Sequence, residues 1–122
     1  MATMINLASD ILQALEDDTA LVELLGGKRI YRMTAPDAEE FPRITFFELD
    51  NTDVLHADDE AKGSLIYFQV DVWNKGATSA IAAEVDRVMK SLGFMRYSAP
   101  DLYEPDTGVH HKAMRYRIGK TM

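Results

Sequence analysis

The stretch Ser64–Trp73, SLIYFQVDVW, decides the fold, because the even-numbered positions from 66 to 72 in it are all apolar. Successive side chains of a β-strand point to opposite faces of a sheet, so the alternation predicts a strand with two different faces. The core face carries Ile66, Phe68, Val70 and Val72. The outer face carries Leu65, Tyr67, Gln69, Asp71 and Trp73. We therefore expect a sheet that is buried on one side and polar and aromatic on the other.

Four other segments are predicted to be strands of the same sheet, because they are short, apolar or alternating, and close to Pro or Gly. They are Arg29–Met33, Arg43–Leu49, Phe94–Tyr97 and Val109–Ile118. The segment Asp50–Gly63 is polar, so a long loop is expected there. The other connections between neighbouring strands are mostly short, which favours antiparallel pairing.

Two amphipathic segments, Asn6–Glu16 and the residues between Thr78 and Gly93, have apolar side chains at helical spacing. A short helical turn capped by Thr19 is expected before Gly26-Gly27, which ends it. These elements predict one α+β domain over residues 1–122. Its expected architecture is an antiparallel sheet of about four to five strands with two helices packed on one face, in the order α-β-β-β-α-β-β.

The composition is that of an ordinary globular protein, with 47% hydrophobic and 27% charged residues. The absence of Cys excludes disulfides, thiolate metal sites and Cys nucleophiles. There is no apolar run near the ~20 residues that cross a bilayer. The chain also starts without the basic and apolar regions of a signal peptide, so we expect a soluble intracellular product.

The net charge of −7 is unevenly distributed along the chain. Residues 1–60 hold fourteen acids and four bases, whereas residues 61–122 hold six acids and nine bases. An acidic chain repels phosphates at long range, which argues against a dedicated nucleic-acid binder. The asymmetry between the two parts favours head-to-tail attraction between identical subunits.

Three clusters carry potentially reactive side chains, and a structural interpretation is favoured for each. Gly26-Gly27-Lys28 lacks the leading Gly of a phosphate-binding loop and closes a helix instead of opening one. His56 and the acids Asp58–Glu60 miss the spacing of a calcium loop, so a solvated acidic loop is favoured. His110 and His111 are adjacent on a predicted strand, so they point to opposite faces and cannot bind one ion together. No catalytic, cofactor-binding or metal-binding residue is therefore predicted.

The outer face of the predicted sheet is a candidate subunit interface. Two helices can cover only one side of a sheet, so the aromatic residues on the other side would meet water in the free chain. Exposed aromatic residues of this kind are enriched in protein–protein contacts. The alternative is that the long loops fold back over this face. The candidate interface residues are Phe47, Leu49, Tyr67, Gln69, Asp71, Trp73, Lys112, Arg115 and Arg117.

Five segments, taken in order, resemble the small tail-completion, or head–tail joining, proteins of long-tailed bacteriophages and prophages. They are LLGGKRIYRMTAP at 24–36, FPRITF at 41–46, FQVDVWNKG at 68–76, LGF at 92–94 and DLYEPDTGVHHKAMRYRI at 101–118. The resemblance covers residues 5–118, nearly the whole chain. No catalytic motif defines that family, so the resemblance supplies no catalytic residue.

The resemblance implies a structural virion protein at the tail end, at the interface with the head, after assembly from the host cytoplasm. The protein would form a ring with copies of itself, expected to be a hexamer, and would contact the head-connector and tail-tube proteins. The genome would pass nearby without specific binding, and neither a cofactor nor a membrane would be involved. The segment Asp50–Gly63 would be a candidate for ordering on assembly.

Two alternatives remain open at this point. The related tail-terminator proteins share a similar fold, so the resemblance also fits a protein that caps the tail tube. A different class, a small-ligand-binding or enzymatic α+β domain, would show a deep polar pocket that the sequence does not reveal.

Overall fold

A computed structural model describes residues 4–57 and 60–121, which form three helices and a six-stranded sheet. The helices are α1 (Ala8–Asp17), α2 (Thr19–Leu25) and α3 (Ser79–Ser91). The strands are β1 (Ile30–Arg32), β2 (Arg43–Ala57), β3 (Glu60–Asn74), β4 (Met95–Ser98), β5 (Asp101–Glu104) and β6 (Val109–Thr121). The α+β class and the predicted element order are confirmed, with β5 as an additional strand. None of the described helices has the length and apolarity needed to cross a membrane.

The strands form one sheet in the order β1-β2-β3-β6-β4, and β5 also pairs with β6. Every pair is antiparallel except that β1 runs parallel to β2. The sheet is therefore mixed, whereas short connections predict a purely antiparallel one. The reason is the segment 33–42, which is long enough to return the chain to the end of the sheet at which β1 starts.

The prediction of a long loop at Asp50–Gly63 is wrong for the described residues, because they extend β2 and β3 as a two-stranded ribbon. The pairing continues to Ala57 opposite Glu60, while residues 58 and 59 lie outside the described part. A β-bulge between Glu48 and Asp50 shifts the register and breaks the apolar alternation, so the ribbon resembles a loop in the sequence. The described residues pair as strands within the single chain, and their ordering on assembly stays a prediction.

All three helices pack on one face of the sheet, where two were predicted, since α2 contacts both α1 and α3. The predicted core face of β3 is confirmed, because its four apolar side chains are fully buried. The Phe68 ring lies 6.4 Å from Phe46 and packs edge-on against Phe94 at 6.1 Å. This apolar layer leaves the opposite face of the sheet without a covering helix.

The short helix α2 has well-defined ends. The Asp18 carboxylate accepts a hydrogen bond from the Leu21 N–H at 3.1 Å, so Asp18 is the N-cap where Thr19 was predicted. Gly26 ends the helix in the left-handed conformation, at φ 78°, as the Gly-Gly pair predicts. The segment Gly26-Gly27-Lys28, which resembles a phosphate-binding loop in the sequence, is thus the end of a helix.

Candidate subunit interface

The outer face is the side of the sheet turned away from the helices, and its residues follow from the strand register. Across β2, β3 and β6, three rows define it: Thr45 with Asp71 and Ala113, Phe47 with Gln69 and Arg115, and Asp50 with Tyr67 and Arg117. At the edge of the sheet, Met95 of β4 pairs with Arg117 and extends the last row.

Eight of the nine predicted interface residues lie on this face, and Lys112 does not. Lys112 pairs with the core residue Val72, and its ammonium group forms an ion pair with Asp101 at 3.3 Å. The side-chain alternation of β6 therefore separates Lys112 from Arg115 and Arg117. The eight residues on the outer face are Phe47, Leu49, Tyr67, Gln69, Asp71, Trp73, Arg115 and Arg117.

Asp71 is only 4% exposed, although no helix covers it. One of its carboxylate oxygens accepts a hydrogen bond from the Gln69 amide at 2.8 Å and lies 2.6 Å from Nε2 of His111. The Arg115 guanidinium donates to the other end of the Gln69 amide at 3.0 Å. A series of hydrogen bonds thus crosses from β6 to β3 and back. It provides partners for the Asp71 carboxylate, which would be costly to bury alone.

Trp73 forms the other part of this cluster. Its ring stacks on His111 with the centroids 3.7 Å apart and an angle of 14° between the planes. Its indole N–H donates to the Thr45 hydroxyl at 2.9 Å, and the Arg43 guanidinium lies 5.4 Å from its ring centroid. We call this region the closed half of the outer face, defined by Thr45, Gln69, Asp71, Trp73, His111 and Ala113. Its polar groups bond to one another, which favours a structural role for Asp71.

The sequence did not reveal His111 as a member of this cluster. The adjacent histidines do point to opposite faces, as predicted, since His110 packs against Tyr103 with ring centroids 4.7 Å apart. Alternation along β6 places His111 on the outer face, but only the register brings it beside Asp71. A sequence pattern carries no direct signal for that register.

The other end of the outer face is apolar and exposed. Met95 and Tyr97 are 57% and 46% exposed, and the Tyr97 ring packs edge-on against Tyr67 at 5.8 Å. A shallow depression of about 570 Å³ lies here. We call this region the open half of the outer face, defined by Leu49, Val54, Leu65, Tyr67, Met95, Tyr97 and Arg117. Exposed groups of large apolar side chains commonly mark sites of protein contact.

A groove of about 630 Å³ on the opposite side of the sheet runs between α3 and the strands β5 and β6. Asp86 in its wall accepts a hydrogen bond from the Tyr116 hydroxyl at 2.8 Å and forms ion pairs with Lys90 and Arg96. Burial opposes ionisation of Asp86, but the hydrogen bonds from Lys90 and Tyr116 outweigh it and lower its pKa. The charged groups in this groove are therefore already neutralised by one another.

No group of three or more His, Asp or Glu side chains in residues 4–57 and 60–121 is placed to hold a metal ion. The acids Asp58 and Asp59, which the sequence grouped with His56, lie outside the described part of the chain. Asp86 and Asp71 are both held by several donors. These contacts give both carboxylates structural roles within the chain.

Comparison with known proteins identifies the family. The family model for tail completion protein gp17 matches residues 9–119. A chain in the virion of a native gene transfer agent particle has a similar fold, with a TM-score of 0.70 and 16% sequence identity over 92% of each chain. The search of curated proteins finds no match. The match over nearly the whole length confirms the resemblance seen in the sequence, and the chain belongs to the tail completion protein gp17 family, whose role is structural.

Proposed function

We propose that the protein is one subunit of a ring, expected to be a hexamer, that completes the end of a phage tail and joins it to the head connector. The observation that carries this proposal is the family match over residues 9–119. In this proposal the protein acts by its position in the virion, and it is not an enzyme.

The open half supports association with other protein chains. Leu49, Met95 and Tyr97 are among the large apolar side chains that the described chain exposes, and all three belong to this region. Burying such groups against a partner stabilises a contact in proportion to the apolar area removed from water. The open half is therefore the part of the outer face that a neighbouring subunit in the ring would cover.

The charge distribution supports contact between unlike surfaces of identical subunits. Asp50 and Asp53 are exposed on the ribbon, and Arg117 is exposed at the other side of the open half. A closed ring that is larger than a dimer needs two different, complementary surfaces on each subunit. Acidic and basic margins of one sheet meet this requirement.

The remaining partners follow from the proposed position. The ring would contact head-connector and tail-tube proteins in the virion, after the subunit is made in the host cytoplasm. The net charge of −7 suits a protein beside which DNA moves, because it does not hold the phosphates. The alternative role, a tail terminator that caps the tube, uses the same ring at a neighbouring position.

Electron microscopy of purified tails that lack this protein, after addition of the tagged and gold-labelled protein, tests the proposal. We expect a labelled ring at the tube end that binds the head, and restored joining to heads. Label at that end without restored joining would favour the tail-terminator role. Tails that stay unlabelled, with a protein that stays monomeric, would contradict the proposal.

A further inference from the structure

The sheet has two free strand edges, one on each side. On one side, β1 pairs with β2 only over Ile44–Phe46, and beyond that point no described strand pairs with the edge of β2 opposite β3. On the other side, β4 pairs with β6 and its second edge has no strand partner in the described chain. An unpaired edge presents backbone N–H and C=O groups that can bind another strand.

The two free edges lie at the same height on the sheet. One row of the register runs from Phe47 through β3 and β6 to Ser98, and the next runs from Asp50 to Met95. The part of β2 that pairs with β1 is level with β5 instead, because the row of Ile30 and Ile44 ends at Asp101. A second copy placed beside the first, without a shift along the strands, brings free β2 next to β4.

The strand directions fit this placement. Each step from β2 to β3, β6 and β4 is antiparallel, so β2 and β4 run in opposite directions. A neighbouring copy in the same orientation would therefore set its β2 antiparallel to β4, and the alternation would continue across the junction.

The side chains at the two edges are complementary. Leu49 at the β2 edge and Met95 at the β4 edge are both exposed apolar residues. Asp50 and Asp53 make the β2 edge acidic. Arg117 brings positive charge to the β4 edge, since its guanidinium lies 3.6 Å from the Met95 sulfur. Opposite charges favour this pairing over contact between two equal edges.

From this geometry we infer that identical subunits associate by strand addition, with Phe47–Asp50 of one copy paired antiparallel to Met95–Ser98 of the next. This inference rests on the proposed ring and specifies how its subunits join. The contact uses two different edges, so each subunit can bind one neighbour on either side and the series can close. The open half then runs across the junction between copies.

Asp50 places a negative charge at the free edge of β2 in the single chain. Its carboxylate accepts hydrogen bonds from the Asn51 N–H at 2.9 Å and from the Thr52 hydroxyl at 3.1 Å. A charged side chain on an edge strand disfavours unspecific pairing. A neighbour that supplies Arg117 gives this carboxylate a new partner and releases the edge for pairing.

Engineered disulfides test the inference directly, because the chain has no Cys of its own. We expect the double variant Asp50→Cys/Met95→Cys to form a ladder of covalent oligomers on mild oxidation, since the unshifted placement sets these two outer-face residues opposite each other at the proposed junction. The matched control is Asp50→Cys/Leu102→Cys, because Leu102 is 49% exposed and lies on β5, level with the part of β2 that pairs with β1. Its ladder should form about tenfold more slowly or not at all, because its sulfurs lack the high effective concentration of paired edges.

Equal ladders from the two variants, or none from Asp50→Cys/Met95→Cys while the unmodified protein forms rings on tails, would overturn the edge pairing and leave the ring intact. Failure of the unmodified protein to form any oligomer, free or on tails, would overturn both proposals. Hydrogen exchange of the unmodified protein is a second test, which does not depend on whether the variants fold. Amides of residues 47–50 and 95–98 should exchange more slowly in the assembled protein, and unchanged rates there would contradict the inference.

Discussion

The two halves of the outer face lie on the same strands and have opposite chemistry. In the closed half, Asp71 is buried by Gln69 and His111 from its own sheet. In the open half, Met95 and Tyr97 remain exposed although they also belong to the sheet. Both halves have the same alternation of side chains, so alternation alone does not show which part of an uncovered face is available to a partner.

The difference shows two ways in which a sheet face without helices can exist in water. Long polar and aromatic side chains can bond across the strands and bury one another, as Gln69, Trp73 and His111 do. Alternatively, apolar side chains remain exposed until another chain covers them. The closed half should therefore contribute to folding stability, and the open half should contribute to association.

Removal of the carboxylate in Asp71→Ala should have the largest effect on stability. It leaves the partly buried side chains of Gln69 and His111 without their shared acceptor, which should cost about 2–4 kcal/mol of the free energy of unfolding. Urea unfolding followed by the fluorescence of Trp73, the single Trp, measures this cost. Asp71→Asn keeps an oxygen acceptor and should lose less. Equal stability of Asp71→Ala and the unmodified protein would show that the closed half does not stabilise the fold.

The helix side of the sheet offers the next comparison. Burial, followed by the hydrogen bond and the negative charge of Asp86, raises the pKa of Tyr116 well above its ordinary value of 10.0. The folded state then keeps this proton when the unfolded state loses it, so the stability that Tyr116 provides is present below pH 10.0 and falls as the pH rises. Tyr116→Phe should lose about 1.5–2 kcal/mol at neutral pH, where the hydroxyl bonds a charged group.

Urea unfolding between neutral and alkaline pH checks this prediction. The unmodified protein should lose stability more steeply above the ordinary tyrosine pKa than the Tyr116→Phe variant. Parallel curves for the two proteins would contradict the role of the Tyr116–Asp86 hydrogen bond.

Thr45→Val sharpens the account of the closed half with a smaller change. The substitution keeps the shape of the side chain and removes the acceptor for the Trp73 indole N–H, so we expect a loss of about 1 kcal/mol. Thr45→Ser keeps the hydroxyl and is the control. An emission spectrum of Trp73 that is the same in both variants would show that this hydrogen bond does not hold the indole.

Met95→Ser in the open half should have the smallest effect on folding. An exposed side chain away from caps and networks usually changes stability by no more than about 0.5 kcal/mol. The same variant should associate more weakly, which sedimentation of protein mixed with tails can measure. A large loss of stability in Met95→Ser, with association unchanged, would reverse the assignment of the two halves.

The sequence predicted the positions of the helices and strands better than the pairing between the strands. The alternation in β3 identified both of its faces, and Gly26 marked the end of α2 correctly. The extent of β2 was missed because the bulge after Glu48 interrupts the pattern. Within the candidate site, eight residues could be placed by alternation. The contacts of His111 with Asp71 and of Met95 with Arg117 could not be predicted, because contacts between strands distant in sequence depend on a register that no local pattern encodes.

The most direct test of the account counts tail ends that carry a ring after addition of purified variants to tails that lack the protein. The account predicts that Thr45→Val, in the closed half, caps tails as the unmodified protein does. Tyr67→Glu, which places a charge in the open half, should leave the tails open while the variant stays folded by circular dichroism. Capping by Tyr67→Glu at the unmodified level, or failure of a folded Thr45→Val variant to cap, would contradict it.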